Sequence, residues 1–267
     1  MNIHFKDKNT FKKLTDATIF TVQFGSRMYG TNDENSDTDL LHIYVPSISE
    51  RNSFWPSHHQ LQYKDNDTDH NFVNVFAFIK NLINGDSSVN FEIINHESIK
   101  GSPLDFLFYI RHSFYNYKIL RSFNGFCRRD IREYHKANSD LEKNKRIGHI
   151  IRGHEFSKMI LDKNFSPIII GDLKEKLLNI KNLSDNKERK NIVSELKSDV
   201  EGFRIRINEL HDQKNLGLPM FMNVDDQIIL DRHINDLINS SVWNDRKDWY
   251  LEMRCFFEAN ENPEIKY

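Results

Sequence analysis

Two aspartates one residue apart, Asp37-Thr38-Asp39, precede the apolar run Leu40-Leu41-His42-Ile43-Tyr44-Val45. Side chains at i and i+2 of a strand point to one face, so this spacing predicts two carboxylates side by side at one edge of a sheet. Paired hard oxygen donors suit Mg²⁺ or Mn²⁺, and Mg²⁺ in particular keeps several waters and takes substrate phosphates as further ligands. Asp69, ahead of the candidate strand Asn71–Val75, is expected to reach the same point from the neighbouring position. Upstream, the β-branched and aromatic run Thr18–Phe24 stops at Gly25-Ser26. A Gly-Ser at a strand-to-helix turn offers backbone N–H groups and a hydroxyl to a phosphate tail. Each part alone is commonplace, since Gly-Ser often makes only a turn and Asp-x-Asp often only caps one. In this order and at this spacing they describe a site for a metal-bound triphosphate.

The elements that must position these residues are legible in outline. The runs Thr18–Phe24 and Leu40–Val45 read as neighbouring strands because the segment 32–37 between them is short and polar. A third strand is expected at Asn71–Val75, after a loop over Lys64–Asp69, and then a short helix from Phe76 to Ile83 that ends at Asn84-Gly85. From about Leu104 apolar residues recur at helical spacing: Phe114-Tyr117-Leu120, Ile147-Ile150-Ile151, Leu173-Leu177-Ile180, Ile192-Leu196-Val200-Phe203 and Ile229-Ile234-Leu237-Ile238. The charged stretch Asn182–Asn191 reads as a loop. The fold class expected is α+β, with a small mixed sheet in a catalytic domain over residues 1–103 and a helical domain over 104–267 that completes the cleft. There is no internal repeat and no low-complexity segment.

Composition narrows the field. The 267 residues carry 37 basic and 39 acidic side chains, which argues against coating nucleic acid by bulk charge. The balance is uneven along the chain: residues 33–97 hold 11 acidic against 3 basic groups, and residues 111–152 hold 11 basic against 4 acidic. An acidic block followed by a basic one suits a metal site in the first and phosphate contacts in the second. A mean hydropathy of −0.65 and the absence of a long apolar run exclude a membrane span. The polar start Met1-Asn2-Ile3-His4-Phe5-Lys6 lacks the core of a secretory signal, and the two cysteines, Cys127 and Cys255, sit in no metal-ligand spacing. A cytoplasmic protein with reduced thiols is expected.

The pattern Gly25-Ser26, Tyr29-Gly30, Ser36-Asp37-x-Asp39-Leu40 resembles the signature of the DNA-polymerase-β-type nucleotidyltransferase superfamily. It is similar in particular to a bacterial and phage branch of predicted nucleotidyltransferases. That branch has an Asp opening a strand, an apolar helix, a Gly-Asn-Pro-like turn and a Glu before an apolar pair. The corresponding segments here are Asp69, Phe76 to Ile83, Gly85-Asp86-Ser87, where Asp-Ser replaces Asn-Pro, and Phe91-Glu92-Ile93-Ile94. Lys145-Arg146, His149 and Arg152 are similar to the branch's helical Lys, His, Arg motif, and Lys145, His149 and Arg152 share one helix face by spacing alone. The likeness covers roughly residues 18–182.

The resemblance implies a metal-dependent enzyme that moves a nucleoside monophosphate from a nucleoside triphosphate such as ATP to a hydroxyl, releasing pyrophosphate. Asp37, Asp39 and Asp69 would be its catalytic and metal-binding acids. Gly25, Ser26, Arg27, Tyr29, Ser36, Lys145, His149 and Arg152 would bind the nucleotide. The acceptor implied is an RNA end, a protein side chain or a small molecule, with RNA favoured by the basic block and by Arg128-Arg129-Arg132 between Phe126 and Tyr134. The contrasting reading is a catalytically silent module of the same fold that acts on a host or toxin partner. His154 and Glu155 are structural candidates, His58-His59 diverge too far to pair on a metal, and Trp243 and Trp249 suit either a core or a stacking role. Oligomeric state has no sequence signal.

Overall fold

The short segment β1 (Asn2–His4) leads into helix α1 (Lys8–Asp16), whose first turn is capped by Asp7 accepting from the backbone N–H groups of Asn9 and Thr10. The computed structural model describes residues 2–34, 36–46, 60–65, 67–85, 88–163, 172–214, 217–219 and 222–239. Strands β2 (Thr18–Phe24), β3 (Thr38–Tyr44), β4 (Gln60–Asp65) and β5 (Thr68–Asn74) join β1 in one mixed sheet of order β1-β4-β5-β3-β2. Strands β2 and β3 are antiparallel neighbours and β3 runs parallel to β5. Helix α2 (Val75–Asn84) follows β5 without a break. Then come α3 (Ser88–Ile94), a single turn α4 (Phe106–Tyr109), and the long helices α5 (Tyr117–Lys136), α6 (Asp140–Leu161), α7 (Asp172–Lys181), α8 (Asn186–Asp212) and α9 (Val224–Asn239). The chain is an α+β protein, a small mixed sheet followed by helices.

Strand parity decides which layer each residue joins. Leu41, Ile43 and Val73 belong to the main core with Phe78, Leu82, Phe91, Ile119 and Phe123 of the helices. Tyr44 and Phe72 point to the other face, against Leu14 of α1. Asp39 and Asp69 share the parity of Leu41 and Val73, and they lie directly opposite each other in the parallel β3/β5 register. Both carboxylates are therefore set on the helix-facing side of the sheet. A separate apolar cluster ties α5 to α8 through Ile131, Ile147, Ile150, Leu177, Leu196 and Val200. Where α5 crosses α6, a Cβ built on Gly153 would lie 2.8 Å from Cys127 Sγ, so only glycine permits that approach.

Several sequence expectations shift at their edges for identifiable reasons. The third strand stops at Asn74 because the Asn74 side chain accepts from the Ala77 N–H at 2.8 Å and starts α2. Gly85, with φ +64°, closes that helix as expected. The loop expected over Lys64–Asp69 is a hairpin in which Lys64 and Asp65 belong to β4, and Thr68 and Asp69 to β5. The loop expected over Asn182–Asn191 is only 182–185. Asp185 caps α8, and Arg189 is fully buried, donating to Asp140, Leu183 O and Ser184 O. No helix of the described residues is long and apolar enough to cross a membrane.

Candidate active site

Between the β2–β3 end of the sheet and helix α6 lies a cleft of about 580 Å³. Gly25, Ser26, Asp37 and Asp39 line its sheet side, and Lys145, His149 and Arg152 line its helix side. The conjunction expected from spacing is thus gathered around one space, with carboxylates facing cations across it. Tyr29 and Ser36 also line the cleft, whereas Arg27 braces its rim by donating from Nη2 to the Ser36 carbonyl at 3.1 Å.

Gly25 ends β2 with φ +68°, and a Cβ there would stand 2.7 Å from Asp39 Oδ2. The glycine is required twice, by the left-handed backbone and by the close approach of the carboxylate. Gly25→Ala is expected to lower stability by about 2 kcal/mol, from the left-handed strain and the displacement of Asp39 together. Urea denaturation of the variant measures this, and an unchanged midpoint would remove the packing argument.

Asp39 carries the marked electrostatics of the sheet side. Burial raises its carboxyl above the usual range, and the negative charges of Asp69 and Asp37 add to this against the pull of Lys145. Asp69 stands beside it in the sheet but does not line the cleft, and Lys64 Nζ, from the antiparallel partner position, lies 3.3 Å from Asp69 Oδ1. Oxygen donors alone, on one face and repelling one another, fit a hard divalent cation. Among the described residues no group of three His, Cys, Asp or Glu side chains is close enough to hold one as it stands.

On α6 two of the cleft residues, His149 and Arg152, stand beside buried carboxylates, and Arg146 shares the first of these. Arg146 Nη1 donates to Asp130 Oδ1 of α5 at 2.9 Å, and His149 Nδ1 lies 3.7 Å from Asp130 Oδ2. Burial works against the Asp130 carboxylate, but His149 and Arg146 outweigh it and hold it below the usual range. Burial lowers His149, with Asp130 opposing. The Arg152 guanidinium sits 4.3 Å above the Tyr29 ring, and its Nε is 3.5 Å from Glu92 Oε1 of α3. Burial pushes the Glu92 carboxyl up, and Arg152 pulls it partly back.

Glu92, Lys181 and Asn144 also line the cleft and are not among the site residues predicted from the sequence. Glu92 appears only as part of a motif. Lys181, at the end of α7, reaches Asp33 Oδ2 at 2.8 Å, Thr31 O at 3.0 Å and Ser36 Oγ at 3.3 Å, which fastens α7 to the β2–β3 loop. Asn144 donates to Lys181 O and Leu183 O and so holds that end of α7 to α6. The polar loop 32–37 signals that a cation is needed there, but nothing local identifies a lysine some 150 residues onward.

The remaining candidates separate from the cleft. Arg128, Arg129 and Arg132 are exposed on α5, with Arg129 stacked on Phe126 at 4.7 Å and Arg128 3.8 Å from Glu201, while Tyr134 goes to the core. His154 is buried edge-on to Phe203, and Glu155 pairs with Lys158. Asp86, Ser87, His58, His59, Trp243, Trp249 and Cys255 lie outside the described residues. Against known proteins, no family model, no curated protein and no solved structure matches the chain.

Proposed function

We propose that the protein is a metal-dependent nucleotidyltransferase that moves a nucleoside monophosphate from a nucleoside triphosphate to a hydroxyl, with an RNA end the favoured acceptor. The observation that carries this reading is the cleft itself: Gly25-Ser26 and the Asp37/Asp39 carboxylates on one side, and Lys145, His149 and Arg152 on the other. The resemblance of the Gly-Ser and Asp-x-Asp segments to the polymerase-β-type signature supports it. Asp37, Asp39 and Asp69 would hold Mg²⁺ or Mn²⁺, which when bound supplies charge neutralisation at the phosphates and activation of an oxygen nucleophile. The Gly25-Ser26 turn receives the phosphate tail, and Lys145 and Arg152 neutralise it from α6. Arg27 and Lys181 hold the 31–36 rim in place around the nucleotide.

A silent binding module of the same fold is the second reading, favoured by the Lys64–Asp69 pair, which already satisfies one of the three acids. Incubation with each α-labelled NTP, Mg²⁺ and cellular RNA or lysate protein separates the two. Label is expected in RNA with the wild-type chain and not with Asp37→Ala/Asp39→Ala. Absence of both transfer and Mg²⁺-dependent NTP binding would leave the module.

A further inference from the structure

Asp130 is wholly buried between α5 and α6, and its two oxygens have different fates. Oδ1 accepts from Arg146, whereas Oδ2 has no hydrogen-bond partner among the described residues and faces His149 Nδ1 at 3.7 Å. A buried carboxylate oxygen without a partner is costly, and the nearby imidazole N–H is its natural donor after a small ring movement. With Nδ1 turned to Asp130, Nε2 occupies the far edge of a ring that lines the cleft. The three sheet acids have other uses: all three are metal donors in the proposed reading, and Asp69 is in addition engaged by Lys64 outside the cleft lining.

We propose that His149 is the catalytic base that takes the proton of the acceptor hydroxyl, and that Asp130 is the positioning residue that fixes its tautomer. The proposal rests on the nucleotidyltransferase reading. The acceptor proton passes to Nε2, the acceptor oxygen forms a bond to the α-phosphorus, and the bond from that phosphorus to the bridging oxygen breaks. Its electron pair leaves with pyrophosphate, and the imidazolium returns its proton to water. The surroundings keep the ring neutral and able to accept: burial lowers its pKa, and Arg152 and Lys145 on its own helix oppose a further positive charge. Asp130 faces it from α5, with the Phe126 ring of the same helix 6.0 Å away. Asp37 and Asp39 of the sheet, Glu92 of α3 and Lys181 of α7 line the same cleft.

The test begins on the full chain with ¹⁵N-labelled histidine, the His149 signals being identified by their loss in His149→Gln. The expected wild-type spectrum shows Nδ1 protonated and Nε2 bare. In Asp130→Asn the His149 midpoint falls, and the acid limb of the transfer rate moves to lower pH with it. Asp130→Glu recovers part of the shift, which guards against a folding defect in the asparagine variant. At saturating NTP, His149→Gln is expected to slow transfer about a hundredfold or more while leaving NTP affinity within about threefold. An Nε2-protonated wild-type ring, an unmoved acid limb in Asp130→Asn, or equal losses of affinity and rate in His149→Gln would each overturn the proposal, the last by making His149 a phosphate ligand. Normal transfer by His149→Gln removes the base alone. NTP binding with no transfer by the wild-type chain removes the transferase reading and the base together.

Discussion

Asp39→Asn is expected to reduce nucleotide transfer about a thousandfold and, at neutral pH, to make the protein more stable. The activity side follows from charge: a carboxylate that holds a cation over transferring phosphates supplies several kcal/mol to the transition state, and each 1.36 kcal/mol is about tenfold. The stability side follows from what the folded chain does to Asp39. Burial and the neighbouring Asp69 and Asp37 charges raise its carboxyl above 3.8, so the folded state disfavours the ionised form. Between the unfolded and folded pKa values the native chain binds more protons, and stability therefore falls as pH rises through that window. The full penalty is present above the folded pKa, and asparagine removes it. Thermal melts of both proteins at pH 7 and near pH 3.5 are the check. The variant's advantage should be clear at pH 7 and vanish in acid, and a variant less stable than wild type at pH 7 would show that Asp39 is held by attraction rather than repulsion.

Arg152→Ala is expected to be the most destabilising single change in the cleft, by about 3–5 kcal/mol, the range for leaving one member of a buried ion pair alone. The side chains of Arg152 and Glu92 are 13% and 2% exposed, so water cannot replace the lost partner. For a chain of this size that corresponds to a melting temperature about 10 °C lower. The pH dependence gives the cause. Burial already raises Glu92, and without Arg152 its folded pKa rises further, so the cost is greatest in alkaline solution and shrinks as acid protonates the carboxyl. Glu92→Gln in the same chain should recover most of the loss, because the residue left behind carries no charge. A destabilisation independent of pH and unrelieved by Glu92→Gln would instead assign the effect to the lost stacking of Arg152 on Tyr29.

Much of this arrangement is legible in the chain, and the parts that are not share a physical reason. Strands β2 and β3 carry runs of β-branched and apolar residues, and β5 has Phe72-Val73 towards its end. The helices after residue 104 repeat apolar side chains every three or four positions, because each buries one stripe. Strand β1 has three residues and β4 reads Gln-Leu-Gln-Tyr-Lys-Asp, so neither stands out in the sequence as an apolar run, and their pairing is set by the partner strand rather than by their own composition. Helix α1 has nine residues and buries Leu14 with Phe11 packed partly beside it, a stripe too short to stand out in a polar stretch. Around the cleft, spacing foretells what one element supplies: Asp37 with Asp39, and Lys145 with His149 and Arg152. It is silent on what distant elements supply, such as the grip of Lys181 on Asp33 and the burial of Asp130 behind His149. The first turn of α8 misleads because a wholly buried arginine looks, in sequence, like any other charge in a polar stretch.

The contact at Gly153 bears on the same cleft from behind. Asp130 lies one turn along α5 from Cys127, and His149 lies one turn before Gly153 on α6. The glycine hydrogen thus acts as a gauge block between two rods, and the gap it sets is the one the buried carboxylate must span to reach the imidazole. A methyl group in its place would thicken that block and lengthen the span by the same movement. The reach of a polar group inside the cleft is in this way dimensioned by a residue that presents nothing to any ligand.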